Sequence, residues 1–424
     1  MEKANFKVGY MAENLQPPQI IKLANEINRR ISNGEFIYNL TIGDFNPKIF
    51  PIPELMKEEI IKAYNERQTN YPPADGLQGL REGVQMYLKE RGGFDYALDE
   101  IVVASGGRPI IFSCYQTVVE KGDGVIYPVP SWNNPEYCHI VQAKSYMIAT
   151  KPENNFMPDA NDMKPYIKDA KLIVLCSPMN PAGTTFSLKQ LTDICELILE
   201  ENYRRSDNER PVYLLVDQMY WGLREKGIEQ HNPVAINSSM RNYTIFVDGA
   251  SKAFAATGLR VGWTYGPKKV VKFMQNVILH MGAWAPRAEQ TAIGVFLKNK
   301  KAVDEYLEDF KSKIFERMHI IFDTFKEMKD KDGLNVDAIS PLGALYCTVK
   351  IDLKGKKTPD GKILDNPEEY NLYVLGEAKI AMVPFGAFGA DENMPWYRIS
   401  VGTCTIEELK TAMKLLREAL LKLK

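Results

Sequence analysis

The sequence predicts an α/β fold built around a mostly parallel sheet. Three observations carry that reading. Short Val- and Ile-rich runs recur along the middle of the chain, each followed by a Gly, Pro, Asn or Asp turn and then by a helical pattern. The runs are near-continuously apolar, as strands buried on both faces must be. The chain has 424 residues, 45% hydrophobic and 25% charged, which suits a large core divided among two or three domains.

In order, the runs are EIVVASGG (100–107), GVIYPVPSW (124–132), KLIVLCSPMNPAG (171–183), PVYLLVDQMYWG (211–222), YTIFVDGASKAF (243–254) and RVGWTYGP (260–267). Ligands of open α/β sheets gather outside the carboxyl ends of the strands. Those ends carry Gly106 and Gly107, Trp132, Asn180, Asp217 with Tyr220, and Lys252, so these groups are expected on one rim. After about residue 300 the rhythm changes to a long charged helical stretch (301–328), then strand-like GALYCTVKI and AMVPFGAFG separated by a Gly-, Lys- and Asp-rich loop (352–366). This predicts a second, α+β unit. Its last helix opens with Thr405 and Glu408 at capping-box spacing.

Composition sets the outer limits. A formal net charge of −1 gives no general attraction to nucleic acid or anionic lipid, so neither is an expected partner. No apolar run approaches the roughly 20 residues needed to span a bilayer, and the first residues lack a secretory pattern, so a cytoplasmic protein is expected. The six cysteines are scattered without C-x-x-C and the four histidines show no H-E-x-x-H, so the expectation is reduced thiols and no metal site.

The chemistry centres on Lys252. A lysine becomes a Schiff-base nucleophile when burial or nearby cations favour its neutral amine. Lys252 follows a strand and the small residues Gly249, Ala250 and Ser251, which leave room for a bulky cofactor, and Arg260 stands eight positions on with a guanidinium suited to phosphate. Pyridoxal phosphate requires an imine-forming lysine, an anion against its ring nitrogen, a donor near its ring oxygen and a phosphate pocket. Asp217 fits the second need, Tyr220 and Asn180 the third, and the backbone of Ser105, Gly106 and Gly107 with Arg260 the fourth. Trp132 offers a face for ring stacking.

GASKAFAATGLRVG, fourteen residues from Gly249, resembles the lysine-attachment motif of the class I and II aminotransferases, the fold type I pyridoxal-phosphate enzymes of the aspartate aminotransferase superfamily. The likeness continues through LTIGDFNP (40–47), NYPPADGLQGLREGV (70–84), YPVPSWNN (127–134), SPMNPAGT (177–184), DQMY (217–220) and WYRISVG (396–402). It implies a large domain over 48–300 with a mostly parallel seven-stranded sheet between helices, and a smaller α+β domain from 1–47 and 301–424. It also implies roles. Lys252 would hold the cofactor and shuttle a proton, with Asp217 and Tyr220 completing the catalytic set. Asn180 would assist Tyr220 at the ring oxygen, and Ser105, Gly106, Gly107, Arg108, Ser251 and Arg260 would line the phosphate side. Arg398 would clamp the substrate carboxylate, helped by Gly43, Asn180 and Trp132, and Tyr71 would reach the site of a neighbouring subunit in a homodimer.

The implied reaction moves the amino group of an L-amino acid to a 2-oxo acid, 2-oxoglutarate above all, in a ping-pong cycle. The same residues also suit a lyase, decarboxylase or cyclase of this fold, and a non-catalytic regulator is a third reading. Gly249 and Phe385 depart from the usual pattern, the latter predicting a rearranged substrate side. Arg108 and Arg287 are candidates for a distal carboxylate, which favours aspartate or glutamate, whereas Trp221, Trp284 and Phe388 suit an aromatic side chain.

Overall fold

The computed structural model describes residues 7–15 and 20–424. Its strands are β1 (Tyr38–Asn39), β2 (Ile101–Ala104), β3 (Gly124–Val129), β4 (Lys144–Ala149), β5 (Ala170–Cys176), β6 (Tyr213–Asp217), β7 (Thr244–Gly249), β8 (Gly262–Tyr265), β9 (Val336–Ala338), β10 (Tyr346–Ile351), β11 (Ile380–Ala381), β12 (Val383–Pro384) and β13 (Trp396–Ser400). Seven of them form one sheet in the order β2-β8-β7-β6-β5-β3-β4, mostly parallel as expected. Each of the six apolar runs supplies one strand. Every residue of β2, β3, β7 and β8 is buried, which is why those runs read as uninterrupted apolar sequence.

The seventh strand, β4, had no counterpart among those runs. It lies at the sheet edge and pairs only with β3, and most of its residues are exposed, so its sequence KSYMIA carries no buried-strand signal. β8 is the one strand that runs against its neighbours, β2 on one side and β7 on the other.

A four-stranded antiparallel sheet, β12-β13-β10-β9, and the parallel pair β1-β11 make up the remaining strands. A helix of 31 residues, Lys300–Asp330, links the two sheets; its N-cap Asn299 accepts a hydrogen bond from the amide of Ala302. At about 1.5 Å per residue it is about 46 Å long. Val303 and Leu307 on its first turns join the core that contains Trp221 and Phe254, whereas Phe310, Ile314, Met318 and Ile321 join the core under β9 and β10. The capping box at the last helix is formed as predicted, Thr405 accepting from Glu408 N–H. Among the described residues no helix is long and apolar enough to cross a membrane.

The sheets meet at the turn after β5. Gly183 has φ +69°, and its carbonyl accepts from the amides of Leu342 and Gly343 at 3.0 Å while Thr348 donates to the neighbouring Ala182 carbonyl at 2.8 Å. A Cβ on Gly183 would sit 2.2 Å from the Tyr346 carbonyl oxygen, a backbone atom that cannot swing away. Gly183→Ala is therefore expected to destabilise the chain by more than about 2 kcal/mol, from left-handed strain plus the clash. Gly376→Ala, in the helix Pro367–Glu377 with open space at its Cβ, is expected to be neutral or slightly stabilising. Thermal unfolding of the two variants side by side checks this.

Candidate active site

The carboxyl ends of the parallel strands open onto a cavity of about 520 Å³. Its wall includes Gly43, Gly107, Arg108, Trp132, Asn180, Asp217, Tyr220, Ser251, Lys252, Arg260 and Arg398, so most of the residues picked from the sequence converge there. The reversed direction of β8 explains the place of Arg260. Gly262 pairs with Gly249 of β7 and Ala104 of β2, so the start of β8 lies where its neighbours end, and Arg260 just before it reaches the β2 end. Its guanidinium donates to the carbonyls of Thr257 at 2.8 Å and Ser105 at 3.1 Å. Arg260 takes φ +55°, a left-handed conformation that non-glycine residues adopt at a cost. Gly262 must be glycine because a Cβ there would lie 2.7 Å from the carbonyl carbon of Gly106.

Lys252 sits in the short helix Ala250–Ala253 that follows β7. Its Nζ donates to the Gly43 carbonyl at 2.5 Å. Burial, helped by the cations Arg398, Arg260 and Arg108 and opposed by Asp44, pulls its pKa down to about 8. Asp217 closes β6 on the adjacent strand. Its Oδ1 accepts from the Met219 amide at 3.0 Å, and burial pushes its carboxyl up to about 6 against that bond and the pull of Lys252. No ion pair to Asp217 forms among the described residues, so its charge lacks a bonded counter-ion.

The far end of the cavity is tied together by four side chains. Arg398, 2% exposed in the middle of β13, donates to Asn180 Oδ1 at 2.9 Å and to the Thr41 carbonyl at 2.6 Å, and its buried Nε has no partner. Asn180 Nδ2 donates to the Tyr220 hydroxyl at 3.4 Å, and that hydroxyl meets Tyr346 Oη at 2.9 Å. The Tyr346 ring returns to Arg398, whose guanidinium lies 4.6 Å from the ring centroid. Tyr346, Asp44 and Thr257 line the same cavity and were missed by reading the sequence. Tyr346 lay in a run noted only as a strand; it joins Arg398 because β10 pairs with β13, Thr348 opposite Arg398, which puts Tyr346 one diagonal away on the same face.

Other residues stand apart from the expectation in specific ways. Of three amides expected to face a phosphate, Ser105 N–H is taken by the Ala283 carbonyl and Gly106 N–H by that of Ala104. That leaves the first turn of the helix Gly107–Val118, which has no side-chain cap, as the anion-facing end. Gly106 still matters, since a Cβ on it would strike the Arg260 guanidinium at 2.3 Å. Tyr71 lies outside the cavity, 79% exposed, with its ring against Trp284 and its carbonyl accepting from Arg287. Arg287 does not line the cavity either. Phe385 is fully buried against Phe156 in the core, so that departure is absorbed by packing; Phe388, not Phe385, lies under Arg398. Gly249 cannot carry a side chain, because a Cβ would lie 2.8 Å from the Val261 carbonyl oxygen.

Together these groups can hold an anion at a helix start beside Arg260, pair a buried carboxylate with an incoming cation, grip a carboxylate at Arg398, and offer an amine at Lys252. Asp217 binds its proton more tightly in the folded chain than in the unfolded one, so its contribution to stability is full below pH 3.8 and lost as pH rises toward about 6. Asp217→Asn removes that loss. It is expected to raise the stability of the ligand-free chain at pH 7.5 by about 1–3 kcal/mol, a gain that shrinks toward pH 4, as thermal unfolding at the two pH values would show.

Comparison with known proteins places the chain in a family. An aspartate aminotransferase of Rhizobium meliloti is 28% identical over 417 residues, 98% of this chain and 96% of that protein. A probable aspartate/prephenate aminotransferase of Rickettsia bellii is 28% identical over 366 residues, covering 86% of this chain and 87% of the other. The crystal structure of the aspartate aminotransferase from Rhizobium meliloti superposes with a TM-score of 0.88 at 27% identity, covering 99% of this chain and 100% of that one. The family model described as aminotransferase class I and II matches residues 37–416, and the chain, with its rim of Lys252, Asp217 and Arg398, belongs to that family.

Proposed function

We propose that the chain is a pyridoxal-5′-phosphate-dependent aminotransferase that moves the amino group of a dicarboxylic L-amino acid to a 2-oxo acid, 2-oxoglutarate being the first acceptor to try. The observation that carries the reading is the pairing of a desolvated amine, Lys252, with a desolvated carboxylate, Asp217, on adjacent strand ends of one cavity. Asp217 is short of a cation, Arg398 has N–H groups to spare, and the Gly107 helix start faces the cavity uncapped; a group with a protonated ring nitrogen and a phosphate answers the first and the last. When bound, pyridoxal phosphate supplies a carbonyl that condenses with amines and a ring that accepts an electron pair.

The chain's own residues do the rest. Asp217 holds a proton on the ring nitrogen, and Asn180 and Tyr220 donate toward the ring oxygen. The Gly107 amide, Ser251 and Arg260 hold the phosphate, with Trp132 and Arg108 along the same wall. Arg398 grips the α-carboxylate bidentately, Asn180 and Gly43 bordering it. Lys252 Nζ, with its pKa near 8, would take the proton from the substrate Cα and hold it for return. One 2-oxo acid leaves before the next enters, which makes the cycle ping-pong.

Arg108 supports the dicarboxylic preference. It is exposed over the Trp132 ring, 5.2 Å from its centroid, and makes no ion pair among the described residues. The substrates in the relatives' names, aspartate and prephenate, share a second carboxylate. A homodimer is part of the proposal: Tyr71, Ile61, Tyr64, Phe273 and Val295 are all exposed apolar side chains on or near the helices Glu54–Asn65, Lys268–Met281 and Arg287–Lys298. A second copy covering them would bring its Tyr71 toward this phosphate site.

Lys252→Ala is expected to lower transamination by about 10³-fold or more with the circular dichroism spectrum unchanged. Full turnover in that variant would sink the assignment. Arg108→Met is expected to lower kcat/KM for aspartate by about 10–100-fold and for tyrosine by less than about threefold; equal losses for both donors would remove Arg108 from substrate recognition.

A further inference from the structure

A second cavity, of about 380 Å³, lies between the end of the helix Gln78–Gly92, the loop after Tyr220 and the first turns of the helix Lys300–Asp330. Its wall carries five cations, Arg91, Arg224, Lys226, Lys300 and Lys311, against the three carboxylates of Glu90, Glu225 and Asp304. The carboxylates are mostly taken. Asp304 pairs with both Arg91 and Lys300, Glu225 is in hydrogen-bond contact with His319 Nε2 at 3.1 Å, and Glu90 is exposed.

Besides the exposed Lys226, Arg224 and Lys311 are left over. Both are partly buried, and neither makes an ion pair among the described residues. Arg224 is held in place through backbone carbonyls alone, Nε to Trp221 at 2.8 Å and Nη1 to Ile228 at 3.4 Å, which leaves Nη2 unused. Burial, then Arg224 and Arg91, lower the pKa of Lys311 against the opposing pull of Glu308 and Glu225, so three cations sit near one another. The hydroxyl of Tyr87, a residue of the same wall that is 3% exposed, has no hydrogen-bond partner. Clustered like charges and an orphaned donor are the arrangement that a bound anion relieves.

We propose that this cavity binds a phosphate-bearing small molecule, held by Arg224 and Lys311 with Arg91 beside them. The two surplus positive charges match a phosphate dianion, the guanidinium fork suits its oxygens, and the volume exceeds what one inorganic ion needs. The site lies apart from the substrate cavity, with which it shares no wall residue.

The test is calorimetric titration of the cofactor-loaded protein with inorganic pyrophosphate, with saturating aspartate and 2-oxoglutarate present to occupy the substrate end. One binding event per chain is expected, weakened by about tenfold or more in Arg224→Gln/Lys311→Gln. Transamination in that variant is expected to stay at the wild-type level, which also shows that it folds. Lys311→Gln alone is the milder variant and is expected to weaken binding by about threefold or more. Absence of binding to the wild-type chain, or undiminished binding in both variants, would overturn the proposal. Transamination by the wild-type chain in the same samples separates a failure of this site from a failure of the proposed activity.

Discussion

Desolvated charge is the constraint on which the rest of the structure depends. Lys252, Asp217, Asp248 and Arg398 lie within the two apolar cores or on the cavity wall, where each ion costs several kcal/mol relative to water. Among the described residues, none is neutralised by a bonded partner of opposite sign. They are held instead by neutral dipoles: the Gly43 carbonyl on Lys252, the Met219 amide on Asp217, the Trp221 indole N–H and Gly249 amide on Asp248, and the Asn180 and Thr41 oxygens on Arg398. Burial pushes the carboxyl of Asp248, on β7 just before Lys252, up to about 8, so this group holds its proton more tightly than an ordinary carboxylate. A large core is needed to carry such a set, and the stability it sacrifices is the usual accompaniment of a reactive site.

Two backbone arrangements keep those groups in register. One is the reversal of β8, which brings Gly262 against Gly106 and Gly249 so closely that no side chain fits between. It delivers Arg260 to the start of the helix Gly107–Val118 without any loop crossing the cavity. The other is the Gly183 turn, clamped to the segment before β10 by main-chain hydrogen bonds. That clamp fixes Asn180 between Tyr220 of the larger sheet and Arg398 of the smaller one, and so sets the distance between the two ends of the cavity.

Much of this was legible in the sequence, and the exceptions have physical causes. Strands buried on both faces announce themselves as apolar runs, so β2, β3, β5, β6, β7 and β8 could be read, whereas the edge strand β4 has the composition of a loop. Residues at strand ends, such as Asp217 and Lys252, could be placed because parallel topology sends all such ends to one side. Tyr346 and Asp44 could not, since their partners come from pairings between distant segments that no local pattern encodes. The amides of Ser105 and Gly106 look available in sequence, and only the turn geometry reveals that carbonyls of Ala283 and Ala104 already occupy them. Gly249 reads as a departure from the family pattern; the contact with Val261 makes it a steric requirement.

Arg260 shows what the fold gives up to place a cation beside a helix start. Its left-handed backbone would be adopted more readily by glycine, and a glycine there would spare every folded copy a strain of about 1 kcal/mol. The backbone angle alone therefore favours glycine, and the guanidinium's hydrogen bonds to the Thr257 and Ser105 carbonyls oppose it. The strand ends thus hold a cation at the expense of a relaxed backbone, a trade visible in one dihedral angle.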